Sequence, residues 1–153
     1  MDNILSRLQQ LGLTLPSPPP PVANYLGTQR YHDILFISGR KSELTGAVGV
    51  EVDPEQAKQA ARDTMLLLLS IIKNDIGQLD SIERILKVQG FIRSGPAFTG
   101  QPQVLDGASE LLIELWGENG RHARTATGTS QLPYGATIQL DMIIQLHQND
   151  NQT

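Results

Sequence analysis

Between Ala136 and His147 the chain alternates with period two. Ala136, Ile138, Leu140, Met142, Ile144 and Leu146 are apolar, and between them stand Thr137, Gln139, Asp141, Ile143, Gln145 and His147. Successive side chains of a strand point to opposite faces, so this pattern predicts a long strand with one face on a core and the other on something polar. Ile34–Ser38, closed by Gly39, predicts a buried strand, and the Gly46–Gly49 stretch a short strand beside it. Residues 82–93, IERILKVQGFIR, predict a third strand, ended by Gly95-Pro96. From Arg121 the run RHARTATGTS predicts a strand joined to the last one by a Leu132-Pro133-Tyr134-Gly135 turn.

Helical spacing fills the intervals. Asp53-Pro54-Glu55-Gln56 is a helix start: a capping acid, a proline at the first helical position and a glutamine three residues after the cap. The helix should run to about Asn74, with Ala57, Ala61, Met65, Leu68 and Ile72 on its core face. Val104–Trp116 repeats the spacing through Leu105, Ala108, Leu112 and Leu115, and Gly117 and Gly120 close it. Residues 3–12 predict a short helix with Ile4, Leu5, Leu8 and Leu11 on one face. The prolines Pro18–Pro21 that follow fix φ and donate no amide hydrogen, so they form an extended connector. The order is β-β-α-β-α-β-β after an N-terminal helix. It predicts an α+β sandwich in which a mixed sheet carries two helices on one face. The expected organisation is a helix and proline-rich connector over residues 1–21, one domain over 22–147, and a tail over 148–153.

Composition narrows the chemistry. The chain has 153 residues, enough for a single real core, and no cysteine, so disulfides, thiolate metal sites and cysteine nucleophiles are excluded. The start MDNILSRLQQLGL is no signal peptide, and the run Met65–Ile72 is too short to cross a bilayer. A cytoplasmic protein is expected. The net charge of −4 and the lack of a basic, aromatic surface argue against nucleic acid; Arg121, His122 and Arg124 are the nearest thing to a basic patch. The remaining histidines, His32 and His147, stand in no ligand spacing, so no metal site is expected. Two arginines and a histidine at the start of one strand and Asp141 on its expected neighbour could together hold a small anion. The small neutral residues Thr125, Thr127 and Thr129, with Gln139 and Gln145, suit contact between subunits better than open solvent.

The order of elements, the Ile37-Ser38-Gly39 strand end, Ala123-Arg124-Thr125-Ala126 and the Leu132-Pro133 turn resemble the YjgF/RidA family of reactive-imine deaminases, also named L-PSP endoribonucleases. The likeness runs from about Val22 to Leu146, and the GRHAR segment and N-terminal extension resemble a longer subgroup. The resemblance implies a chorismate-mutase-like fold, a homotrimer with a central barrel of sheets, and clefts between subunits. It implies hydrolysis of 2-imino or enamine acids to 2-keto acids and ammonia without a cofactor. Arg124 then takes the position that holds the substrate carboxylate, and Asp141 the position, glutamate in the family, that helps place the attacking water. Tyr25, Ser38 and Gly39 match further substrate-binding positions. Ala126 stands where the family carries a cysteine, and Asp106 or Ser109 where it carries an asparagine. His122, two residues before Arg124, shares its strand face if pairing starts that early. A non-catalytic trimer that binds a small carboxylate, and RNA cleavage, are the alternative functions; the acidic balance speaks against the second.

Overall fold

The computed structural model describes residues 2–20 and 23–148. Met1, Pro21 at the end of the expected connector, Val22 at the start of the expected domain, and all of the expected tail but Gln148 lie outside the described residues. The elements are α1 (Asn3–Gln10), β1 (Thr28–Tyr31), β2 (Ile34–Lys41), α2 (Pro54–Ile76), β3 (Ile82–Arg93), α3 (Gln101–Trp116), β4 (Ala123–Thr129) and β5 (Ile138–Leu146). The strands form one mixed sheet in the order β1-β2-β5-β3-β4. β3 and β4 are parallel, linked through α3, and every other pairing is antiparallel. α2 lies on β2 and β5, and α3 on β3 and β4, so both long helices cover one face.

The start of α2 is built as its residues require. The Gln56 amide donates to Asp53 Oδ1 at 2.8 Å and the Asp53 amide to Gln56 Oε1 at 3.0 Å, so each residue satisfies an amide that the first helical turn would leave bare. Gly77, at φ 93°, ends the helix in a conformation that side chains resist. All five residues of the expected core stripe, Ala57 through Ile72, are fully buried. They meet the inner face of the sheet, where Ile37, Val88, Leu140, Met142 and Ile144 point. α2 and α3 pack closely because Gly107 lacks a side chain: a Cβ there would lie 2.0 Å from the Lys58 carbonyl oxygen. α1 joins the same core through Ile4 and Leu8, while Leu11, placed on that face by spacing, is exposed just before the turn at Gly12.

Three expectations are corrected. Residues 46–49 form no strand, only isolated bridges at Val48, because Gly46 and Gly49 both turn the chain through positive φ (113° and 89°). The second strand of the opening pair is instead β1, which precedes β2 across a two-residue loop with His32 at φ 54°. Finally, β4 and β5 are not neighbours, since β3 lies between them. The chain crosses the end of β3, where Arg93 Nη1 donates to the Gly135 carbonyl at 3.2 Å and Nε to that of Ser130 at 3.4 Å.

Candidate functional site

β4 is an edge strand, and Arg124 is its second residue. It pairs with Val88, which is wholly buried on the helix-covered face, so the arginine side chain rises toward α3. There Asp106 and Ser109, one helical turn apart, face the strand. Arg124 Nη1 donates to Asp106 Oδ1 at 2.8 Å and to Ser109 Oγ at 3.1 Å, and Nη2 donates to the Pro102 carbonyl at 3.3 Å. The Nε hydrogen and the second Nη2 hydrogen have no partner among the described residues. A guanidinium can meet a carboxylate through two such N–H groups.

His122 joins the same cluster from just outside the strand. Its Nδ1 lies 2.6 Å from the Gly120 carbonyl oxygen and its Nε2 2.9 Å from Ser109 Oγ. A carbonyl only accepts, so Nδ1 carries the hydrogen and Nε2 is left to accept. Burial lowers the imidazole pKa from its ordinary value; the bond to Gly120 opposes this and the charge of Arg124 adds to it. Glu110, Ile113 and Arg121 complete an open groove of about 410 Å³ around the cluster. The exposed Arg121 turns to Glu118 at 3.5 Å, apart from the Arg124 network. Among the described residues, no group of three or more His, Cys, Asp and Glu could hold a metal ion, and no helix is long and apolar enough to cross a membrane.

The other candidates lie elsewhere in the fold. Arg124, Val88, Met142 and Ile37 form one row across four strands. At about 4.8 Å per strand, the backbone of Ile37, next to Ser38, is therefore roughly 14 Å from that of Arg124. Ser38 Oγ donates to the Leu26 carbonyl at 2.6 Å and its amide to that of Gly27 at 2.9 Å, which holds the segment after Tyr25 against β2. Tyr25 is half-exposed, with the Arg40 guanidinium 5.5 Å over its ring. Gly39 gives Gln139 room, since a Cβ would sit 3.3 Å from that amide nitrogen. Ala126 is on the helix side with Arg124, packed on the core. Asp141 pairs with Gln89 between the buried Leu140 and Met142, so it points out of the uncovered face. Burial there raises its pKa, with Lys87 acting in the opposite sense. The fold thus unites Arg124, His122 and Ala126, gathers Tyr25, Ser38 and Gly39 at the far side, and leaves Asp141 between the two groups on the other face.

Sequence reasoning offered Asp106 and Ser109 as alternatives for one position, and both touch Arg124. The i, i+3 spacing of two polar residues amid Val104, Leu105, Ala108 and Leu112 was the available signal. The carbonyl partners Pro102 and Gly120 carry none.

The family described as YjgF/chorismate mutase-like, putative endoribonuclease, matches residues 5–146. Protein TCP17 of Trypanosoma cruzi is 34% identical over 152 residues, 95% of each chain. The crystal structure of Atu1372 from Agrobacterium tumefaciens is 36% identical, with a TM-score of 0.86 over 95% of this chain and 94% of that one. A putative endoribonuclease from Shewanella oneidensis is 27% identical, with a TM-score of 0.90 over 95% and 100%. One from Thermotoga maritima, at 18% identity and a TM-score of 0.56 over 87% and 94%, shares the fold.

Proposed function

The chain belongs to the YjgF/chorismate mutase-like family, and on that premise we propose that it hydrolyses reactive 2-imino or enamine acids to 2-keto acids and ammonia, in clefts between the subunits of a homotrimer. The observation that carries this reading is the guanidinium of Arg124. Asp106, Ser109 and the Pro102 carbonyl hold it beside the groove, and the docking edge we assign is Nε/Nη2, where the Nε hydrogen and one Nη2 hydrogen have no partner among the described residues. A substrate carboxylate docked on that edge gains two parallel, charge-assisted bonds at a preset angle. An imine carbon is already electrophilic, so holding the substrate and presenting water are the main demands on the protein.

The positions of the other candidates support the proposed assembly. Arg124 is at one edge of the sheet, and Tyr25, Ser38 and Gly39 are toward the other. A closed ring of subunits sets the first edge of one copy beside the second edge of the next, which is how a single cleft gathers both groups. The uncovered face, with the exposed Phe36 beside Gln89, Gln139, Asp141 and Gln145, suits burial against other copies better than water.

A second reading, a trimer that binds a small carboxylate without turning it over, draws on the Arg124–Asp106 pair, which neutralises part of the arginine's charge, and on the outward direction of Asp141. RNA cleavage, raised by the names of the relatives, is opposed by the net charge of −4 and by Asp106 and Glu110 lining the groove. The deciding assay follows decay of 2-aminoacrylate freshly released by a PLP-dependent dehydratase, with and without the protein. Faster keto-acid formation supports hydrolysis; an unchanged rate together with keto-acid binding favours the second reading.

A further inference from the structure

We propose that Ser109 and His122 are the proton relay of the Arg124 groove, with His122 Nε2 as its terminal base. The inference rests on the imine-hydrolase reading and assigns the proton transfer that Asp141, on the opposite face, does not reach within the subunit.

Donor and acceptor chemistry fixes the direction of every hydrogen in the chain of bonds. A guanidinium only donates, so Ser109 Oγ accepts from Arg124 Nη1 at 3.1 Å. The Gly120 carbonyl only accepts, so His122 Nδ1 gives it a hydrogen at 2.6 Å and Nε2 is bare. The Ser109 hydrogen therefore goes to Nε2, 2.9 Å away. Hydroxyls inside helices ordinarily bond back to a carbonyl one turn earlier. Thr64 and Ser70 of α2 do so, at 2.7 Å each. Ser109, in the middle of α3, is held instead between Arg124 and His122.

The two carboxylates of the groove are engaged. Asp106 is paired with Arg124 at 2.8 Å, and Glu110 with Lys58 at 3.5 Å. The charged groups that share the groove with His122 are these two acids from α3 and the arginines Arg121 and Arg124. Burial and Arg124 favour the neutral imidazole, ready to accept at neutral pH. Ser109 itself is a poor nucleophile candidate: its neighbours' amides are spent within α3, so no pair of backbone N–H groups converges to stabilise an oxyanion.

The step balances without a further reactant. The water oxygen bonds to C2 of the imine, and the C=N π pair moves onto nitrogen. The water proton passes through Ser109 to Nε2, and the imidazolium hands it to that nitrogen. The hydroxyl proton of the carbinolamine takes the same route as the C–N bond breaks. Nitrogen leaves as ammonia, the carbonyl closes, and His122 ends neutral.

The test measures imine hydrolysis against pH for wild type, His122→Gln and Ser109→Ala, with keto-acid affinity alongside. In wild type, kcat/KM should fall on the acid side through a pKa below the ordinary histidine value of 6.5. His122→Gln should lose that limb and about 100-fold in kcat at neutral pH with keto-acid affinity kept within about threefold, and Ser109→Ala a comparable factor in kcat. Added imidazole should restore part of the rate of His122→Ala. If wild type turns over imine and either His122→Gln or Ser109→Ala keeps its rate and acid limb, the relay is overturned and the hydrolase reading stands. An inactive wild type overturns both.

Discussion

Arg124 and Asp141 lie on opposite faces of the sheet, with β3 between their strands. The arginine stands beside Val88, whose side chain is in the core, and the acid beside Gln89, whose side chain points away from the helices. The two charges that a hairpin would have placed together therefore serve different surroundings: a groove under α3, and a sheet face free of helices.

The environment of Asp141 gives a signed prediction. Its pKa is raised in the fold, chiefly by burial, so its ionised form is penalised relative to the unfolded chain. The penalty is full above the raised value, shrinks as pH falls through it, and is gone below the unfolded value near 3.8. Asp141→Asn should raise the urea midpoint at pH 7, and the gap to wild type should close with acidification. A lower midpoint for the variant would mean that Asp141 has a cationic partner strong enough to reverse the sign.

Phe36 tests the assembly. It is half-exposed on the outward side of β2, flanked by the buried Leu35 and Ile37. Wild type should scatter light as a trimer at micromolar concentration, and Phe36→Asp should scatter as a monomer with an unchanged far-ultraviolet spectrum. A wild-type monomer would remove the shared cleft altogether.

Gly107 tests the helix layer. With the Lys58 carbonyl 2.0 Å from the position of a Cβ, Gly107→Ala must push α2 and α3 apart. Overpacking of this kind costs about 1–3 kcal/mol, and contact with rigid backbone puts it at the upper end. Chemical denaturation should show the loss; an unchanged midpoint would mean that the helices slide freely.

Much of this arrangement is legible in the chain because burial leaves a period. Residues 82–93 coincide with β3, and the capping residues fix the start of α2. β1 leaves no such trace: three of its four side chains are exposed, so neither face selects apolar residues. The pairing of β4 is hidden for another reason. A short connection from β4 to β5 looks like a hairpin, yet the parallel β3–α3–β4 unit puts β3 between them, a relation set by packing rather than by any local residue. Around Arg124 the side chains could be named from their types and spacing. The backbone oxygens of Pro102 and Gly120 could not, since every residue carries one.

Arg124 is the proposed carboxylate anchor, and calorimetry with pyruvate or 2-oxobutanoate tests that role most directly. Wild type should bind at millimolar concentration or better. Arg124→Ala should lose about 2–5 kcal/mol of binding free energy through the missing bidentate contact. Arg124→Lys should recover only part, because an ammonium supplies a point charge and no fork. Binding by Arg124→Ala as tight as that of wild type, or no binding by wild type, would contradict that role.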